Sequence, residues 1–121
     1  MKRIPLTLED AKQILSEGNI PDRIVRSAPA VAVVLTQSWC PQWRAMNAYL
    51  DQWAGEENGD DQVLVYHLEY DRLPIFTQFL AWKENTFKNY DIPYVRFYRE
   101  GRFIEDANFL DQDWFRKLLI P

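Results

Sequence analysis

A chain of 121 residues with a single cysteine, Cys40, cannot close an internal disulfide. It also cannot cycle a pair of its own thiols between dithiol and disulfide. Its single histidine, His67, and that one cysteine offer no ligand spacing for a metal, so no metal site is expected. A glycine-rich phosphate loop is missing. No apolar run approaches the roughly 18 residues of a membrane span. Lys2-Arg3 is followed by the charged stretch Glu9-Asp10-Ala11-Lys12 rather than by an apolar core, so no signal peptide is expected. A basic excess is also lacking: 14 Lys and Arg stand against 18 Asp and Glu, a net charge of −4. That argues against nucleic acid or an anionic membrane as the main partner. Without repeat, linker or low-complexity segment, residues 1–121 read as one domain, long enough for a real core. These absences together place the expected location in the cytoplasm.

Aromatic residues, by contrast, are plentiful at 15% and include five Trp. Many large rings in a small domain predict a thick core, an aromatic groove, or both. Thr7-Leu8-Glu9-Asp10 reads as a variant capping box, with Leu8, Ala11, Ile14 and Leu15 at helical spacing and Gly18 as the stop, so a helix is expected over 7–17. Residues 21–26 fit either a short helix opened by Pro21 or a short edge strand. The run from Val31 to Leu35 is apolar on both faces, which predicts a central strand over 31–37 covered on both sides. A helix over 41–54 follows, with Pro41 in its first turn and Trp43, Met46, Leu50 and Trp53 on one stripe. The acidic loop at 56–61, with its paired carboxylates, reads as solvated surface rather than acid–base chemistry. A strand over 62–70, a helix over 74–84, a connector over 85–92 and a strand over 94–98 come next. Arg99-Glu100-Gly101 predicts a hairpin turn leading to a second arm at Phe103-Ile104. A last helix is capped by Asp111 or Asp113. Strand–helix–strand units predict parallel pairing with an antiparallel hairpin at one edge.

Cys40 sits where the central strand gives way to its helix. A helix N-terminus offers unpaired N–H groups and a positive dipole end, which favour a thiolate. Three stretches then carry a family likeness. Trp39-Cys40-Pro41-Gln42-Trp43-Arg44 follows an apolar strand, where the family has Trp-Cys-Gly-Pro-Cys-Lys. Phe87-Lys88-Asn89-Tyr90-Asp91-Ile92-Pro93 places an aromatic residue five positions before an Ile-Pro pair that precedes a strand. The run from Val95 to Phe103 is strand, charged-Gly turn, strand. In this order the chain resembles the thioredoxin family over roughly residues 20–120. The resemblance implies an α/β thioredoxin fold: a central mixed sheet of four to five strands with helices on both faces. It further implies a cis Pro93 that, with Ile92 and Tyr94, holds a substrate backbone beside Cys40, and Trp39 as one groove wall. The departures are the resolving cysteine, replaced by Trp43; the buried acid six residues before the nucleophile, replaced by Val34; and the glycine before the last helix, replaced by Asn108.

Two functions follow from this. One is a monothiol thiol–disulfide oxidoreductase, with Cys40 as nucleophile and Arg44, one turn on, as thiolate stabiliser. It would form mixed disulfides with protein or glutathione partners and need an external thiol, such as glutathione as co-substrate, for release. No other cofactor is expected. The other is a redox-inactive binding module using the groove around Trp39, Tyr94 and Pro93. The Cys-Gly-Phe-Ser motif of iron–sulfur glutaredoxins is absent. Trp43 reads as a core anchor or a lid over Cys40, Asn108 as a loop residue, and His67 as a packed or exposed strand residue. A single exposed thiol also allows a disulfide-linked homodimer.

Overall fold

The computed structural model describes residues 1–57 and 59–121; Asn58, in the acidic loop, lies outside the described residues. Strand β2 (Ala30–Thr36) is the centre of the sheet, and every one of its seven residues is buried. It pairs parallel with β3 (Val63–Glu69) and antiparallel with β4 (Tyr94–Arg99). Strand β1 (Lys2–Pro5) adds parallel to the far side of β3, and β5 (Arg102–Ala107) adds antiparallel to β4. The order β1-β3-β2-β4-β5 is a mixed five-stranded sheet, as expected.

Alternation along β2 divides the interior into two cores. Val31, Val33 and Leu35 face one side, with Leu68, Tyr70, Tyr94 and Tyr98, beneath helices α1 (Leu8–Glu17) and α4 (Phe76–Phe87). Ala32 and Val34 face the other, with Val65, Val95 and Phe97, beneath α3 (Pro41–Ala54) and α5 (Gln112–Leu119). The stripe Trp43, Met46, Leu50 and Trp53 seals α3 onto this second face, each residue 0–1% exposed. Burial of each such side chain contributes roughly 1.5–3 kcal/mol or more. Thr7 closes its capping box with Asp10, Gly18 ends α1 in the left-handed region (φ 72°), and Asp111 caps α5 through the Trp114 N–H.

Several boundaries differ from the sequence reading, each for a local reason. Residues 22–25 form a single helical turn, α2 (Asp22–Val25), with Pro21 at its N-cap. The extra strand is instead β1. Its residues Lys2-Arg3-Ile4-Pro5 carry only one large aliphatic side chain; backbone pairing with β3 makes it a strand, and the Leu6 N–H continues the ladder to the His67 carbonyl. Helix α4 runs on to Phe87 because Trp82 and Phe87 keep packing on the first core, and Lys88 ends it in the left-handed region (φ 53°). The hairpin turn takes positive φ at Glu100 and Gly101, which matches the twist of the flanking strands. A Cβ at Gly101 would sit 2.7 Å from Arg26 Cγ, so the turn has no room for a larger residue there. Both sheet edges carry charge: β1 has Lys2 and Arg3 and ends in Pro5, and β5 exposes Arg102, Glu105 and Asp106 alongside Phe103 and Ile104.

Candidate functional site

The site is built where β2 ends. After Thr36 the chain makes a short loop, Gln37–Trp39, and Cys40 becomes the N-cap residue of α3, with extended backbone (φ −70°, ψ 121°) and Pro41 at the first helical position. The Cys40 carbonyl accepts the first helical bond from the Arg44 N–H at 3.0 Å. Two contacts fix the loop before it. The Ser38 N–H and hydroxyl both donate to the Asp71 carboxylate, at 2.8 and 2.6 Å. The Trp39 indole N–H donates to Gln37 Oε1 at 2.6 Å, while its ring stays 59% exposed.

Opposite Cys40 lies the Ile92–Pro93 peptide, which is cis. Cys40 Sγ is 3.7 Å from the Ile92 carbonyl oxygen, its one polar contact among the described residues. Three side chains clasp this proline loop. Lys83 Nζ donates to the Asp91 carbonyl at 2.6 Å. The Asn108 amide donates to Asn89 Oδ1 at 2.9 Å and to the Pro93 carbonyl at 3.1 Å. Asn89 in turn donates to Asn108 Oδ1 at 3.1 Å. Lys83 is fully buried, with its ammonium 5.4 Å from the Tyr94 ring centroid. Burial holds this ammonium below the ordinary lysine range, opposed by the nearby charges of Glu84 and Asp91.

Cys40 lines a groove of about 440 Å³, with Trp39 and the 65% exposed Tyr90 among its walls, together with Leu80 and Ile92. Gln37, Tyr70, Glu84 and Asp91 supply its polar surface. Burial raises the Tyr70 hydroxyl pKa, and Gln37 Nε2 approaches that oxygen at 3.4 Å.

The expected residues distribute unevenly over this site. Cys40, Trp39 and Ile92 meet in the groove, and Pro93 is buried behind it. Tyr94 does not join them. It is fully buried in the α1/α4 core, its ring 5.2 Å from Phe87 and its hydroxyl donating to Asp106 Oδ2 at 2.7 Å. Its side chain packs against Phe87 at the C-terminal end of α4 and does not line the groove, whose α4 residues are Leu80 and Glu84. Arg44 is exposed and forms no ion pair or hydrogen bond through its guanidinium among the described residues, so no contact ties it to the sulfur. Cys40 is 5% exposed.

Trp43 is a core anchor, in the same buried cluster as Cys40. It is 1% exposed, and its indole N–H donates to Glu69 Oε2 at 2.8 Å. Its ring stacks at 5.7 Å on His67, and the Arg3 guanidinium lies 5.9 Å from its centroid. His67 Nδ1 sits 3.2 Å from Arg3 Nη2, so the histidine serves this cluster rather than the sulfur. Burial, reinforced by Arg3, depresses the His67 pKa.

The clasp was missed in the sequence. Its one signal was Lys83, a lysine on the same stripe as Phe76, Phe79 and Phe87 at helical spacing. Asn108 is a loop residue as expected, but its side chain holds the proline loop together. No group of three or more metal-ligating side chains occurs among the described residues, and no described helix is long and apolar enough to cross a membrane.

No family model matches the sequence, and no curated protein matches it closely enough to count. Solved structures do match in shape. Thioredoxin O1 from Arabidopsis thaliana, in its oxidized state, superposes with a TM-score of 0.65 at 13% identity, covering 96% of this chain and 93% of that one. Trxlp from Edwardsiella tarda gives 0.64 at 13% identity over 100% of both chains. Schistosoma mansoni thioredoxin gives 0.62 at 12% identity, over 98% and 93%. These likenesses show the fold: the chain is a thioredoxin-fold protein, and it carries one thiol.

Proposed function

We propose that this protein performs one-thiol disulfide exchange through Cys40. The observation that carries the reading is the juxtaposition of Cys40 Sγ and the Ile92 carbonyl, 3.7 Å apart, on the wall of an open groove. Cys40 first loses its proton to solvent in the groove. The thiolate attacks one sulfur of a partner disulfide; a new Cys40–partner S–S bond forms, the old S–S bond breaks, and the second sulfur leaves with the electron pair. Because there is no second cysteine, an external thiolate must attack the mixed disulfide and return Cys40 to the thiolate. Ile92 and Pro93 border the bound partner, and Trp39 shields one side of it. A cytoplasmic location, where free thiols are kept reduced, suits this chemistry.

A second reading, a thioredoxin-fold binding module without redox turnover, is favoured by the burial of Cys40 at 5% exposure. One experiment separates the two. The folded protein and an unstructured peptide spanning residues 37–46 are treated with hydroxyethyl disulfide, a small neutral oxidant, and adducts are followed by mass spectrometry. The exchange reading expects adduct formation at least about tenfold faster on the folded protein, reversal by added thiol, and none in Cys40→Ser. A folded protein that reacts more slowly than the peptide sinks exchange and leaves the binding module.

A further inference from the structure

We infer that the groove beside Cys40 is built for an extended protein segment that carries a basic side chain next to an apolar one, and that it rejects glutathione. This rests on the groove being the working site, whether or not Cys40 turns over. Glutathione brings two carboxylates and one ammonium, so a site for it must supply cations. This groove supplies none. Lys83, one residue before Glu84, is fully buried and donates to the Asp91 carbonyl. Arg44 and Lys88 lie outside the lining.

The charges that do line the groove are the carboxylates of Glu84 and Asp91. Among the described residues neither forms an ion pair, although seven ion pairs occupy other acidic residues; the buried Lys83 ammonium lies near both and offsets only part of their charge. The rest of the wall is apolar and aromatic. Trp39 and Tyr90 are among the most exposed large rings of the chain, at 59% and 65%, and Leu80 and Ile92 lie in the same lining. Exposed aromatic plates with carboxylates beside them complement a lysine or arginine whose alkyl stem lies on a ring and whose charge meets the acid. An apolar neighbour fills the remaining wall. An anionic tripeptide meets like charge instead, and like-charge contacts disfavour the wrong partner.

The test uses four cysteine probes activated as pyridyl disulfides: glutathione, and hexapeptides with Leu beside Cys and Arg, Ala or Glu at the next position. Cys40 thiolate attacks the peptide cysteine sulfur, the bond to the pyridyl sulfur breaks, and pyridinethione leaves with the electron pair. Its absorbance gives the rate. The Arg peptide should react about tenfold faster than the Glu peptide and than glutathione at low salt. The gap should shrink in about 0.5 M salt, where the screening length is only a few ångströms. It should close in the double variant Glu84→Gln with Asp91→Asn. Equal rates for Arg and Glu peptides, or glutathione reacting fastest, would overturn the inference while leaving exchange intact. Should no probe react, exchange fails, and the same peptides with Ser for Cys are titrated against the whole protein by Trp fluorescence. Tighter binding of the Arg peptide then upholds the groove assignment, and equal or absent binding ends it.

Discussion

The two faces of the sheet solve the same packing problem with different chemistry. On the α3/α5 face the large rings are completed: the Trp43 and Trp53 indoles each donate to a carboxylate, Glu69 and Asp60, at 2.8 and 2.6 Å. Phe115 meets Tyr49, Trp53 and Phe97 edge-on. On the α1/α4 face the Trp82 indole N–H finds no partner among the described residues, and a lysine is sealed among the rings. That lysine reaches the proline loop instead. One face spends its polar groups on stability, the other on holding a loop beside Cys40. A buried ammonium among aromatic rings is costly for folding, so its presence is easier to explain by what it holds than by what it stabilises.

Truncating the finished face should do the most damage. Trp43→Ala leaves a large cavity beneath α3 and takes the indole donor from Glu69, which keeps only Arg72, at a cost of about 3–5 kcal/mol, read as a fall in thermal midpoint or in the denaturant midpoint at unchanged m. Lys83→Met should behave in the opposite sense. An apolar chain of similar length replaces a buried charge, so global stability should stay within about 1 kcal/mol of the parent or rise. Amide exchange across residues 89–92 should nevertheless accelerate. If Lys83→Met unfolds the protein as severely as Trp43→Ala, the division between the faces is wrong.

The smallest effect concerns His67, which joins the finished face to the β1 edge. Its pKa is depressed in the folded state, so the unfolded chain binds the proton first as pH falls. Its contribution is therefore complete above about pH 6.5, the ordinary imidazole value. It is lost as pH drops through the lower folded value. Denaturant midpoints between pH 7 and pH 5 should fall in the parent and fall less in His67→Gln; parallel curves would remove the histidine from the account.

What could be read from the residues alone followed from local rules. The apolar run of β2, the Trp43 stripe, the Thr7 box and the Glu100-Gly101 turn each announce their structure within a few positions. Strand β1 did not, because Lys2-Arg3-Ile4-Pro5 becomes a strand only through backbone pairing with residues about sixty positions away. Cys40, Ile92 and Pro93 were legible as spacing. Tyr94 follows the proline, which suggests the groove, but its ring is fully buried against Phe87 in the core. The clasp stayed hidden for a simpler reason. A helix lysine normally reads as solvated, and nothing local says that Lys83 will turn inward to a carbonyl eight residues on.

The guarded edges of the sheet have a consequence for encounters between molecules. An edge strand can template another chain only if it presents a long, flat, uncharged row of backbone groups. Here β1 is four residues long and ends in Pro5, while β5 is interrupted by an irregular register at Phe97/Tyr98 and displays Arg102, Glu105 and Asp106. Lateral strand addition is therefore discouraged on both sides, which limits runaway stacking in a crowded solution.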